Sequence, residues 1–339
     1  MSIEPPNGFA PEPLSNGWHD PYEPPITRWL PVVGGKPLFY PGELHLLYGK
    51  GGSGKTWLAL LACLMVARDG FHALFIDYEG AREVTRYRLK AMGATEEEAS
   101  RIMYVKAEGV MDREMVAQLT RWLLVQQIQL VAVDSLSRAL AASDLDETNN
   151  RDVIGFFAKM EPLRASGAAI CFIDHIGHPR ADVDLPSPRG ASAKVDQVAV
   201  AYYVRQGRTW SSESAGQAKV LSRKDRHGTT TEGSVIAVLA VTPRQHGLTV
   251  TLEAPAPPAF PGVEDQEAAQ CIADLLDDET ATRSKSAMVK AVMHALGCNQ
   301  GAADAALDQM IGSGHVKATS NGNGSATLLA RPTARPAAA

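Results

Sequence analysis

Apolar and polar positions change period repeatedly along the chain, and each change marks the edge of an element. Leu44–Tyr48 is a short apolar run, the segment from Gly54 to about Arg68 is apolar on nearly every side, and His72–Asp77 is a second short run. The short runs predict strands, and a helix apolar all round is one that will be buried. A helix follows from Arg82 to Met92, stopped by Gly93, and then a short strand over Ile102–Lys106. Asp112 can cap the next helix, in which Met115, Leu119, Trp122 and Leu123 share a face at helical spacing, so that stripe is expected in the core. Leu130–Asp134 is a strand. The helix Asn150–Arg164, apolar at Val153, Phe156, Phe157, Met160 and Leu163, leads into a strand over Ala169–Asp174. Strands alternating with helices imply a largely parallel sheet with crossover helices. Four further strand-like runs, Val198–Val204, Ala218–Ser222, Val235–Val241 and Leu248–Leu252, follow without helices between them, so the sheet is expected to continue in antiparallel members.

The pattern fails at three places, and these divide the chain. Residues 1–30 hold many prolines and no apolar periodicity, which reads as a disordered arm. Residues 31–253 form the alternating core. Residues 254–263 are a proline-rich linker. Within 264–330 helices are expected near Gln266–Leu276 and Ser284–Leu296, with a third capped by Asn299 that buries Ala303, Ala306, Leu307, Met310 and Ile311. A hairpin around Ser320–Gly324 closes the segment. Three helices and a hairpin resemble a winged-helix module, and residues 331–339 read as a flexible tail.

Composition narrows the class. The 339 residues suffice for one large α/β core and a smaller module. No apolar run approaches the ~20 residues that span a bilayer, and the N-terminus has neither basic nor apolar leader character, so no membrane contact and a cytoplasmic location are expected. Cys63, Cys171, Cys271 and Cys298 are isolated from one another and lack zinc or redox spacing, so they are expected as buried thiols. A net charge of −5 leaves any nucleic-acid contact to local basic loops.

The candidate chemistry begins at Gly49-Lys50-Gly51-Gly52-Ser53-Gly54-Lys55-Thr56, which fits G-x-x-x-x-G-K-[ST] between a predicted strand and a predicted helix. Glycines without Cβ let successive N–H groups converge on phosphates at a helix N-terminus that already favours anions. Gly49, Gly51, Gly52, Ser53, Gly54, Lys55, Thr56 and Trp57 are therefore the expected nucleotide-binding set. Lys55 would neutralise the β- and γ-phosphates, and Thr56 would bind Mg²⁺. Asp134, at the end of an apolar strand, is the expected second metal anchor, acting through water; its bland alternative is a helix cap.

Asp77 and Glu79 follow the second strand at the end where open α/β sheets gather ligands. A P-loop with an acidic pair after the next strand resembles the RecA-like ATPases. The resemblance implies an α/β RecA-like P-loop core that binds ATP, with Glu79 as the general base. His175 lies at the strand end where this family senses the γ-phosphate, and His occurs there in RepA-type helicases. A metal site shared with His178 is the rival reading. Lys224-Asp225-Arg226-His227-Gly228 matches the K-x-R-x-G run of DnaB- and RepA-type hexameric helicases. By that resemblance Lys224 and Arg226 reach the nucleotide of a neighbouring subunit. Arg138 on one loop, and Arg180, Arg189 and Lys194 on a second, would contact single-stranded DNA. The third helix of the C-terminal module, Gly301–Gly312, has no Lys or Arg and suits contact with other replication or recombination proteins, while Lys317 in the hairpin and Arg283, Lys285 and Lys290 around the second helix leave DNA binding open. The compact form expected is nearer RepA than DnaB. The expectation is an ATP-driven, ring-forming homo-oligomeric helicase or translocase. A RecA-like recombination or regulatory ATPase, or a winged-helix regulator controlled by ATP, are its rivals.

Overall fold

Continuous runs of Leu, Val, Ile, Ala and Phe become strands because both faces of the sheet are covered, so no face needs polar residues. The computed structural model describes residues 25–26, 30–177, 185–245, 247–255, 266–276, 283–296, 298–320 and 327–330. A two-residue hairpin, β1 (Val32–Val33) with β2 (Lys36–Pro37), precedes the core. The elements β3 (Leu44–Gly49), α1 (Lys55–Arg68), β4 (His72–Asp77), α2 (Arg82–Ala91), α3 (Glu96–Ser100) and β5 (Ile102–Lys106) follow. Then come α4 (Arg113–Val125), β6 (Ile128–Asp134), α5 (Leu136–Ala142), α6 (Asn150–Met160), β7 (Ala169–His175) and α7 (Ala193–Asp196). The core ends with β8 (Val200–Gln206), β9 (Gly216–Asp225), β10 (Val235–Arg244) and β11 (Gly247–Glu253).

The nine strands lie in the order β11-β10-β9-β8-β3-β7-β6-β4-β5. From β8 to β5 all neighbours are parallel, and β9, β10 and β11 extend the sheet antiparallel as the sequence pattern predicts, whereas β8, the first of the runs expected to be antiparallel, lies parallel to β3. The P-loop strand β3 is central, flanked by β8 and β7. Register sets Gly49 beside His175 and Asp77 beside Asp134, so the strand ends that carry polar chemistry are level with one another. One face packs α1 in a core with Leu58, Leu64, Phe75 and Leu239; the other packs α4, α5 and α6 around Leu46, Phe156, Phe157 and Phe172. Helix α1 is buried on almost every side, as expected.

Three further readings of the core change. In α4 the buried side chains are Val116 and Leu123, while Met115 and Trp122 are exposed by 46% and 37%, so the stripe expected in the core lies partly in solvent. The helix expected to run to Arg164 ends at Met160 and tightens into a 3₁₀ turn over Glu161–Ser166, where Pro162 supplies no backbone N–H. Of the cysteines, Cys63 and Cys171 are buried, whereas Cys271 and Cys298 are half-buried.

Beyond the core, α8 (Gln266–Leu275), β12 (Arg283–Ser284), α9 (Lys285–Leu296), α10 (Gln300–Gly312), β13 (Lys317–Ser320) and β14 (Thr327–Ala330) form a unit with its own apolar centre at Ile272, Met288, Val292, Leu307 and Met310. Its three strands run in the order β12-β14-β13, and Lys219 of β9 ties to Asp274 of α8 across 3.1 Å. Most of the expected arm and linker, and the tail, lie outside the described residues. No helix among the described residues is long and apolar enough to cross a membrane.

Candidate nucleotide-binding site

The loop leaving β3 bends because Gly52 and Gly54 take φ of +77° and +97°, a region glycine enters without steric cost. Close approach adds a second demand for glycine. A Cβ on Gly49 would meet the Val204 carbonyl oxygen at 2.4 Å, and one on Gly54 would meet the Trp210 ring at 2.7 Å. The loop wraps the Lys55 ammonium, which donates to the carbonyls of Gly49 at 2.9 Å and Lys50 at 2.7 Å. Burial pulls Lys55 down to about 8, with Asp134, Asp174 and Glu79 working the other way.

Behind the loop, the Thr56 hydroxyl donates to Asp134 Oδ2 at 2.7 Å. Burial pushes the Asp134 carboxyl up to about 6, against the Thr56 hydrogen bond, which favours the charged form. Asp77 shapes the turn after β4. Its Oδ1 accepts from the backbone N–H of Glu79 and Gly80, and its Oδ2 accepts from Tyr104. That turn aims Glu79 back across the strand ends. Glu79 Oε1 accepts a short hydrogen bond from Ser135 Oγ and lies 3.5 Å from His175 Nε2. The hydrogen bond from His175 is the largest cause holding the Glu79 carboxyl down at about 2; Ser135 adds to it, and burial opposes both.

These groups line a cleft of about 310 Å³ formed by Gly52, Gly54, Lys55, Thr56, Trp57, Glu79, Asp134 and His175, together with Arg88, Gln206, Thr209 and Trp210. The last four, and Ser135 beneath Glu79, carry no local motif. Arg88 reaches the site on α2, Gln206 at the end of β8, Thr209 and Trp210 on the loop between β8 and β9, and Ser135 directly after β6. The Arg88 guanidinium lies 5.8 Å from the centre of the Trp57 ring, an arrangement that can also hold a flat base.

Phosphates and Mg²⁺ fit this set of residues. The Ser53 hydroxyl is buried without a hydrogen-bond partner, and the cradle closes to any Cβ at Gly49 and Gly54. The Thr56 and Asp134 oxygens are hard donors, few enough that the remaining positions of Mg²⁺ would be taken by phosphate and water. No cluster of three or more His, Cys, Asp or Glu among the described residues could hold a metal by itself. His178, the rival metal partner of His175, lies outside the described residues, and His175 faces Glu79.

Other expected residues are elsewhere. Lys224 is the penultimate residue of β9, paired with Ala201, and Arg226 follows the strand. Since Gln206 is the β8 residue at the cleft, Lys224 stands about 16 Å away along the strand, towards the opposite end of the sheet. There Lys224 Nζ donates to the carbonyls of Val195 and Asp196, and Arg226 to that of Asp196. Arg138 is exposed on α5, and Arg180 lies outside the described residues. Arg189 is half-exposed and pairs with Glu147 at 2.7 Å. Lys194, expected on a DNA-contacting loop, is wholly buried: its ammonium bridges Asp174 at 2.7 Å and Glu147 at 2.9 Å, and no strand could reach it there.

A phosphate cradle at the end of a central parallel strand, with a hydroxyl–carboxylate pair for a divalent cation and a carboxylate on the next strand end, defines a P-loop nucleoside triphosphatase. Residues 8–181, a little over half of the chain, match the family described as AAA domain, and the chain belongs to that family of P-loop ATPases. A search of curated proteins returns no match.

Proposed function

We propose that this ATPase acts as a ring of identical copies that translocates on single-stranded DNA and separates strands, as RepA-type helicases do. The observation that carries the reading is the position of Lys224 and Arg226. The cleft holds a phosphate cradle, metal anchors and a base, but among the described residues Lys55 and Arg88 are its only Lys or Arg, while the K-x-R pair is tethered near the far end of the sheet. Phosphoryl transfer develops negative charge that an added cation stabilises, and a group in that position suits the cleft of a neighbouring copy.

In this reading the Gly49–Thr56 loop and Lys55 bind the triphosphate, with Thr56 and Asp134 holding Mg²⁺. The metal supplies Lewis-acid neutralisation of the phosphates. Glu79 takes the proton of the attacking water, and Arg226 of the partner subunit closes the site. His175, in contact with Glu79 at the end of β7, links occupancy to the chain that follows it, which carries the half-exposed Arg189, and Arg138 on α5 offers an exposed cation for DNA phosphates. The C-terminal order α8-β12-α9-α10-β13-β14, with a three-stranded sheet, supports a winged-helix module. Without Lys or Arg on α10, that module suits a protein partner better than DNA phosphates.

Mixing tests the shared site. Lys55→Ala and Arg226→Ala chains should each fail to hydrolyse ATP, and their co-assembly should restore turnover by joining an intact cradle to an intact arginine. If co-assembled chains stay inactive, the shared site is refuted. Hydrolysis stimulated by DNA without strand displacement would reduce the reading to a recombination or regulatory ATPase.

A further inference from the structure

Helix α2 separates two concave sites. Its Arg88 flank borders the ATP cleft, and its other flank borders a cavity of about 590 Å³ roofed by α3 and floored by the sheet edge. The second cavity falls within the roughly 300–1,000 Å³ typical of small-molecule sites. Arg82, Arg86 and Lys90 line it at spacings of four residues, all exposed. Among the described residues none of these three side chains makes a hydrogen bond or ion pair. Like charges four apart on a helix repel one another, so this row costs α2 stability unless an anion meets it. The row is also anomalous in a chain of net charge −5.

The remaining walls specify what kind of anion. Phe75 and Tyr104 stack with their rings 6.5 Å apart and 18° from coplanar, and Leu89 and Ile102 complete an apolar floor. Opposite the cations, the Glu96 carboxylate repels phosphate but can receive hydroxyl or amino donors, beside the Thr95 hydroxyl, which accepts from the Glu98 N–H, and the Ser100 hydroxyl, which donates to the Glu97 carbonyl and keeps its acceptor lone pairs. Cations on one wall, a flat apolar floor and acceptors on the other wall match the three parts of a nucleotide. We propose that this cavity is a second site, for a nucleoside phosphate, with Arg82, Arg86 and Lys90 on the phosphates. The ligand is either a free nucleotide or one nucleotide unit of a strand. Glu79 lies three residues before the first residue of α2, so an occupant of the second site bears on the base of the first. The proposal does not depend on the DNA-translocation reading.

Calorimetry of the full chain with ADP tests it. The native chain should bind two ADP per copy, and Lys55→Ala one. The triple variant Arg82→Ser, Arg86→Ser, Lys90→Ser should keep only the P-loop site, whereas a control removing Arg113, Arg121 and Arg151 keeps both. Should the triple variant fold poorly, Arg86→Ser alone is expected to weaken the second site by ~tenfold or more, through loss of a charge-assisted bidentate contact. Displacement of ADP from Lys55→Ala by a short oligo-dT would identify a strand as the source, and its failure to displace would identify free nucleotide. A single ADP site in the native chain, with neither ADP nor oligo-dT bound by Lys55→Ala, would overturn the proposal. So would a triple variant that retains two ADP and instead loses self-association, because the groove would then be a contact between copies.

Discussion

Glu79, the base of the proposed reaction, is tethered more firmly than that role needs. A carboxylate held down near 2 accepts a proton reluctantly, and a base works best when its pKa approaches the working pH. His175 is the larger restraint, and it lines the cleft; in the proposed reading it would turn from Glu79 towards the γ-phosphate, returning basicity to Glu79 when substrate is bound. Ser135 is the second restraint and has no such alternative, since its other near neighbour is Ser137 Oγ at 3.3 Å. The sign of its effect follows directly. As the proposed base Glu79 would have to be ionised, the Ser135 hydroxyl favours the ionised form, and its removal raises the Glu79 pKa. In Ser135→Ala the acid limb of kcat should therefore move to higher pH, with ADP affinity unchanged. A Ser135→Thr chain should restore the native profile, and an unshifted limb in Ser135→Ala would remove Ser135 from the positioning of the base.

Local pattern made the strands legible and left some faces undecided. The positions of the P-loop, Asp134 and Glu79 were readable because each ends or closely follows an apolar run, and register in a parallel sheet brings such ends together. Lys194 was not readable: its meaning comes from Asp174 and Glu147, residues distant in sequence whose side chains close over it. Arg88 and Trp210 reach the cleft by the same kind of long-range folding. Helix α4 shows the limit of periodicity. The expected stripe through Met115, Leu119, Trp122 and Leu123 is a single residue out of phase with one centred on Val116 and Leu123, and both are apolar, so spacing alone does not choose between them. Packing against α6 and the turn at Glu161–Ser166 chooses Val116 and Leu123. Leu123→Ala is thus expected to cost about 2–5 kcal/mol by leaving a cavity. Trp122→Ala, more than a third exposed, should cost markedly less. Urea denaturation would compare them, and equal losses would show that Trp122 belongs to the core.

The whole molecule answers acid through groups at opposite ends of its sheet. His45, at the start of β3 and away from the ATP cleft, is completely buried; Tyr40 N–H donates to its Nε2 at 2.9 Å, and its Nδ1 lies 3.3 Å from the Ile170 carbonyl. These contacts fix the neutral ring with the proton on Nδ1, and burial pulls its pKa from 6.5 down to about 4. Between those values the unfolded chain binds a proton that the folded chain refuses. Stability is therefore lost as pH falls through this window, at up to about 1.4 kcal/mol per pH unit and roughly 3 kcal/mol in all. Asp134 runs the other way. Its carboxyl, raised from 3.8 to about 6, takes up a proton in the folded chain while the unfolded one stays ionised, so acid relieves the cost of burying its charge. The two slopes overlap between about pH 4 and 6 and offset each other, which should leave the native chain nearly level there as far as these groups decide. Asp134→Asn removes the relief and keeps the His45 loss, so its urea midpoint should fall steeply over that range. His45→Gln keeps the relief and removes the loss, so its midpoint should rise relative to its own value at neutral pH. Parallel pH profiles for the native chain and both variants would refute the opposition of the two groups.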